Sequence, residues 1–126
     1  MKLEFLENVN EYNDHVMRLY DFDSSQATLF RQIIEQLIID KNRTIEMTSL
    51  SFIKNINCEL TLRIANIDNG ITSTDQKNFF CDLTIKNYEN IKRLLEPFCR
   101  KESKGFEFLY EIDNPIEFLF SPNGTW

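Results

Sequence analysis

Two aspartates and the single histidine are the residues best suited to acid–base chemistry. Asp21 and Asp23 lie between a predicted strand and a predicted helix, and His15 precedes them. Carboxyl and imidazole groups act as general acids and bases when their surroundings separate their pKa values. A simpler interpretation is that Asp23 caps the helix, Asp21 complements the helix dipole and His15 lies in a surface turn. Because capping explains both acids, we favour the structural interpretation and keep a small hydrolase or isomerase as the alternative.

The three cysteines are the candidate nucleophiles. Cys58 and Cys81 fall on the apolar side of alternating segments, where cysteine usually acts as a small buried hydrophobic side chain. Cys99 is followed by Arg100 and Lys101, and a cationic environment is what activates a thiol. No histidine lies near Cys99 in the sequence to serve as its base, so a structural role is favoured there too.

The glycine and histidine content excludes several kinds of ligand site. The three glycines, Gly70, Gly105 and Gly124, are too far apart to form a phosphate-binding loop or a dinucleotide fingerprint. One histidine is too few for zinc sites built on several histidines, and the cysteines form no CxxC pair. We therefore expect neither a cofactor nor a metal.

The charge balance argues against a nucleic-acid partner. Fourteen Lys and Arg against 20 Asp and Glu give a net charge of −6, which repels the phosphates of DNA and RNA. The one basic cluster, Arg100, Lys101 and Lys104, follows a predicted helix, where cations complement the negative end of the dipole.

Several features predict a cytoplasmic protein without a membrane span. An odd number of cysteines is not typical of a secreted disulfide framework. The first residues carry acids where a signal peptide would be basic and then apolar, and charge interrupts every apolar run. The 126 residues, 42% of them hydrophobic, fit a single α+β domain spanning 1–126.

Hydrophobic periodicity predicts two helices among several strands. The first helix follows the caps at Asp23 and ends near Asp40, and its apolar residues recur at helical spacing. The second covers about 86–97 and should stop or kink at Pro97. Alternation or apolar runs predict strands at 2–7, 16–22, 44–53, 57–65, 79–85, 106–112 and 116–120.

The predicted fold is a two-layer α+β sandwich. Clean alternation is typical of antiparallel sheets with one exposed face, so we expect a mainly antiparallel sheet of about five to seven strands. The two amphipathic helices would pack on one face of that sheet.

The other face of the predicted sheet is the candidate binding surface. Exposed apolar residues rimmed by charge resemble the layout of a protein interface, although scattered apolar residues are also normal on solvated faces. Trp126 either folds back onto the body or serves as an interface anchor. The predicted contact residues are Arg63, Phe80, Asp82, Leu109 and Trp126, on a face that also carries Glu46, Thr48, Glu59, Thr61, Thr84, Glu107 and Glu111.

The leading functional hypothesis is a non-enzymatic protein-binding domain, like an immunity protein or an adaptor. An acidic field would steer it toward a basic partner. Homodimerisation through the segment 16–22 or through the sheet face is a variant of this idea. A small-ligand carrier is a further alternative, because the 11 phenylalanines could line a cavity, although they more often fill a core.

Overall fold

The computed structural model describes residues 1–9, 11, 14–100, 105–110 and 116–125. Two helices and nine strands are present in this part of the chain. The helices are α1 (Ser24–Ile33) and α2 (Ile85–Arg100). The strands are β1 (Lys2–Leu6), β2 (His15–Tyr20), β3 (Ile45–Glu46), β4 (Lys54–Asn55), β5 (Glu59–Ile64), β6 (Gly70–Thr72), β7 (Asn78–Leu83), β8 (Glu107–Tyr110) and β9 (Ile116–Ser121).

The strands form two sheets. The five-stranded sheet has the order β4-β1-β2-β9-β8, and the four-stranded sheet has the order β3-β5-β7-β6. Each sheet contains one long parallel pair, β2 with β9 and β5 with β7, flanked by antiparallel neighbours. The mixed α+β class agrees with the prediction, whereas the single predicted sheet is divided into two.

Two short edge strands, β4 and β6, were not predicted from the sequence pattern. Strand β6 is only three residues long and pairs antiparallel with one edge of β7. The other edge of β7 pairs with β5, and this pair is parallel. The predicted strand at 44–53 is also wrong beyond Glu46. There Ser49 Oγ donates to the Glu46 carbonyl at 2.6 Å and stabilises a turn of 3₁₀-helix at Met47–Ser49.

Helix α1 begins at a capping box and changes geometry in its second half. The Asp23 side chain accepts from the Gln26 backbone N–H, and the Gln26 side chain accepts from the Asp23 backbone N–H. After Ile33 the helix continues as a π-helical segment, Ile34–Ile39, which buries Ile34 and Ile38. The predicted cap at Asp23 is therefore confirmed.

Helix α2 continues beyond the predicted stop. It runs through Pro97 to Arg100, although the proline lacks the backbone N–H that would bond to the carbonyl four residues earlier. At the other end, Thr84 Oγ1 accepts from the Asn87 backbone N–H at 3.4 Å, which makes Thr84 the N-terminal cap of the helix.

One hydrophobic core joins the two sheets and the helices. Phe5 of β1 contacts Phe79 of β7 with ring centroids 4.5 Å apart, which links the sheets. Phe22 and Phe98 both contact Phe120 of β9, at 4.1 and 5.1 Å between centroids. Most of the phenylalanines are buried in this core, so their packing supports the core-filling interpretation rather than a ligand cavity.

Candidate functional site

Three of the predicted contact residues lie together on the outer face of the four-stranded sheet. Arg63 on β5 is directly opposite Asp82 on β7, and Phe80 lies two residues before Asp82 on the same face. Alternation along both strands points the intervening residues Leu62 and Cys81 into the core, where both are buried. We call Arg63, Phe80 and Asp82 the sheet-face patch.

The patch is held by a bidentate ion pair on an aromatic ring. Arg63 donates from Nε and Nη2 to the two carboxylate oxygens of Asp82, at 2.7 and 2.8 Å. The Arg63 guanidinium carbon lies 4.1 Å from the centroid of the Phe80 ring. The hydrogen bonds to Asp82 raise the pKa of Arg63 above its ordinary value. The Arg63 side chain is 42% exposed and that of Asp82 15%, so the pair is oriented by its contacts yet open to a partner.

Helix α2 supports the patch from behind. The buried hydroxyl of Tyr88 lies 2.7 Å from the carbonyl oxygen of Arg63 and 2.9 Å from that of Cys81. These two carbonyls belong to the paired strands β5 and β7, so a single side chain fixes both strands against the helix. The backbone that carries the patch is therefore anchored in the core.

A cleft of about 240 Å³ adjoins the patch on the same face. It includes two exposed carboxylates, Glu46 and Glu59, and the ring of Phe80. Neither glutamate forms an ion pair with any described residue. We call this the acidic cleft; its polar lining residues are Glu46, Thr48, Glu59, Thr61 and Asn78.

Leu109 does not belong to this surface. It is only 2% exposed and lies on β8, in the five-stranded sheet. Phe108 pairs with Leu119 and Tyr110 with Phe118, so Leu109 is the extra residue of a β-bulge. The bulge breaks the alternation, so the expected outward position of Leu109 is wrong. Glu107 is in the same five-stranded sheet, while Glu111 and Trp126 lie outside the described residues.

The turn before Trp126 is docked on the five-stranded sheet. Arg18 Nη1 donates to the Gly124 carbonyl at 2.8 Å, and Ser121 Oγ donates to that of Thr125 at 2.7 Å. Gly124 has φ +74°, and a Cβ there would lie 3.0 Å from Arg18 Nη1. The expectation that this turn folds back onto the body therefore holds as far as Thr125.

The candidate acid–base residues are not brought together. His15 begins β2 and Asp21 follows its end, which separates them by about 20 Å at the rise of an extended strand. Asp21 forms an ion pair with Lys2 at 3.1 Å, and Asp23 caps α1. His15 Nδ1 accepts from the Asn8 backbone N–H at 3.1 Å. Each group has a local structural partner.

Two of the cysteines lie where thiolate chemistry is unfavourable. Burial raises the pKa of the Cys58 thiol to about 11 and that of Cys81 to about 12. Cys99 is partly buried, and its thiol lies 3.4 Å from the Leu95 carbonyl oxygen. The following Arg100 is exposed at the end of α2, 3.9 Å from Glu96, while Lys101 and Lys104 lie outside the described residues.

A second cleft, which the sequence did not predict, continues from the first. It has a volume of about 450 Å³ and shares Thr48, Glu59 and Asn78 with the acidic cleft. Asn78 could have been placed on the outer face from its parity with Phe80, whereas Ile56, in the segment before β5, carries no sequence signal for such a position.

No protein-family model matches the sequence, and no curated protein is significantly similar to it. Among the residues described, no group of three or more His, Cys, Asp or Glu could hold a metal ion. No helix in the same part of the chain has the length and apolar character needed to cross a membrane.

Proposed function

We propose that this chain is a non-enzymatic protein-binding domain of the cytoplasm that contacts its partner through the sheet-face patch. The observation that carries the proposal is the bidentate Arg63–Asp82 pair lying against the ring of Phe80. Aromatic and arginine side chains are the usual anchors of protein interfaces. The affinity for a partner is higher when these side chains are already held in place in the unbound protein. Tyr88 supplies that order from behind the sheet.

The proposed partner is a basic protein. The chain has a net charge of −6, and Glu46 and Glu59 beside the patch are exposed. Such a field accelerates encounters with a positively charged protein and opposes binding to nucleic acid. The cytoplasmic location rests on the three free cysteines, which are typical of a reducing compartment.

A second copy of this chain is the less favoured partner. Strand β2 is paired on both edges, with β1 and with β9, so the segment 16–22 offers no free edge for a dimer. Two copies would also each carry −6, and like net charges repel. Light scattering on the purified protein identifies a homodimer directly.

An exchange of the two patch charges tests the proposal. The double variant Arg63→Asp with Asp82→Arg keeps an ion pair and the net charge but reverses the charge pattern seen by a partner. The tagged protein is used to capture stoichiometric partners at near-physiological salt. We expect a basic protein to be retained by the wild type and lost with the variant.

The Glu35–Lys92 ion pair between the helices provides a matched control. Its 2.9 Å contact joins the helices and is not on the outer sheet face, and Glu35→Lys with Lys92→Glu makes the same kind of exchange. This control should retain the partner, and thermal unfolding verifies that both variants fold. Retention by both variants would refute the sheet-face interface, and the absence of any stoichiometric partner of the wild type would refute the binding function itself.

A further inference from the structure

The acidic cleft and the second cleft adjoin each other, and we call the two together the groove. Thr48, Glu59 and Asn78 line both clefts. The groove begins beside Phe80 on the four-stranded sheet and reaches Ile56, in the segment that joins β4 to β5. An elongated depression of this kind fits an extended chain better than a compact ligand.

Two like charges lie close together in the first half of the groove. Glu46 on β3 is directly opposite Thr61 on β5, and Glu59 is two residues before Thr61 on the same face. Diagonal neighbours of this kind lie about 7–8 Å apart in an antiparallel pair. Because neither carboxylate has a cationic partner among the described residues, their mutual repulsion is not relieved within that part of the chain.

The surroundings of the two glutamates suit a cationic side chain. Phe80 also lines the cleft, and its ring contacts the Arg63 guanidinium. Thr48, Thr61 and Asn78 supply further hydrogen-bonding groups. Lys77 lines only the second cleft and forms no ion pair of 4.0 Å or less with Glu59.

The second half of the groove offers apolar contact. Ile56 is 41% exposed there, beside Cys58, whereas most large apolar side chains of the described residues are buried. The groove therefore offers an acidic part, at Glu46 and Glu59, and an apolar part, at Ile56. A single extended segment can contact both parts when it carries a basic residue and, near it, an apolar residue.

From charge complementarity we infer that this groove receives an extended segment of the protein partner, with a Lys or Arg side chain between Glu46 and Glu59 and an apolar side chain against Ile56. The inference rests on the proposed binding function and specifies what is recognised. The partner side chain neutralises the two carboxylates, and its N–H groups donate to their oxygens. The sheet-face patch then contacts the partner beside this segment.

Selection from a library of random linear peptides displayed on phage tests the inference. The purified full chain is the bait, and selected peptides are synthesised and titrated by fluorescence anisotropy. We expect enrichment of a basic residue at a fixed spacing from an apolar one. We also expect Glu46→Gln with Glu59→Gln to weaken binding about ten-fold or more, the effect of losing a charge-assisted contact.

Glu89→Gln with Glu96→Gln is the matched control. Both glutamates are exposed on α2, and this pair of changes removes the same net charge. Affinity should fall no more than about two-fold, through the weaker overall field. Selected peptides that lack a fixed basic residue, or equal losses in both double variants, would overturn the inference.

The outcomes separate this inference from the proposed function. Peptides whose affinity depends on Phe80 but not on the two glutamates would discard the cationic subsite and leave the binding function standing. Partner capture without any peptide binder would likewise discard the groove alone. Absence of both a peptide binder and a captured partner would discard the inference and the proposed function together.

Discussion

The hydroxyl of Tyr88 has two buried acceptors, the carbonyl oxygens of Arg63 and Cys81. Burial raises the pKa of Tyr88 far above its usual range, so the hydroxyl remains a donor at any pH at which the protein is folded. The same two carbonyls belong to the paired strands β5 and β7, so the hydroxyl connects helix α2 to both strands. The cost of losing it is therefore larger than that of losing a surface hydrogen bond.

Tyr88→Phe should lower the free energy of unfolding by about 1–2 kcal/mol, because the hydrogen bond that the buried hydroxyl shares between the two carbonyls is lost while the ring stays in place. Urea unfolding followed by circular dichroism measures the change. Tyr20→Phe is the control, since the Tyr20 hydroxyl makes no hydrogen bond within the described residues, and we expect a change below about 0.5 kcal/mol. Equal losses in the two variants would contradict the assigned role of Tyr88.

The cysteines should differ in reactivity. Because burial raises the pKa of Cys58 and Cys81 to about 11 and 12, their thiolate fractions near pH 8 are very small. Iodoacetamide should therefore modify Cys99 first in the folded protein and all three cysteines in denaturant. Peptide mapping by mass spectrometry identifies the modified sites. Modification of Cys81 at a rate equal to that of Cys99 would contradict its burial.

The start of helix α2 is secured from the neighbouring sheet. Asp68, in the segment before β6, accepts from the backbone N–H of Thr84 at 2.8 Å and from its hydroxyl at 3.0 Å. Burial alone would raise the pKa of Asp68, but these hydrogen bonds, with one from Asn87, outweigh it and bring the pKa below its ordinary 3.8. Asp68 thus connects a turn of the sheet to the helix that carries Tyr88.

This coupling predicts a specific response to acid. A carboxyl whose pKa is lowered by folding stabilises the protein above its unfolded pKa, and the contribution is lost as pH falls through the folded value. Hydrogen bonds from Asn78 and Lys77 also lower the pKa of Asp75, so both aspartates should cost stability below about pH 4. Asp68→Asn should be less stable than the wild type at neutral pH and converge with it near pH 2 by thermal unfolding. Parallel curves would contradict this role of Asp68.

The helices and the longer strands could be predicted from the sequence because their apolar periodicity is regular. Strand β6 could not, since three residues carry too little pattern to identify a strand, and without it the parallel pairing of β5 with β7 is not apparent. The bulge at Leu109 could not be predicted either. The apolar and polar residues alternate through this segment of the sequence, but the extra residue of the bulge shifts the strand register.

The candidate site was predictable to the extent that it lies on regular strands. Arg63, Phe80 and Asp82 share a face because Arg63 pairs with Asp82 across the two strands and Phe80 lies two residues before Asp82. The groove beyond them depends on how the segment between β4 and β5 folds. There the Asn57 side-chain amide donates to the Phe5 carbonyl at 2.8 Å and accepts from the Phe5 backbone N–H at 2.9 Å. These two bonds continue the contacts of β1 beyond its pairing with β4. No periodicity encodes such a contact.

The molecule as a whole carries a charge that should be visible in binding kinetics. With a net charge of −6, association with the basic partner should be electrostatically accelerated at low ionic strength. We expect the association rate constant to fall about ten-fold between about 0.1 M and about 1 M salt, with a smaller change in dissociation. Stopped-flow fluorescence measures both rates. An association rate independent of salt would contradict a basic partner.

Strand β9 lies in the interior of the five-stranded sheet, between β2 and β8, although it is the last strand in chain order. During synthesis on a ribosome, β2 must therefore wait with one edge unpaired until residues 116–121 have emerged. An unpaired edge is open to association with other chains, so this interval is when the nascent protein is most prone to aggregate. The pairing of β2 with β9 joins residues that are far apart in the sequence. Contacts of this kind slow folding, so we expect the five-stranded sheet to form slowly.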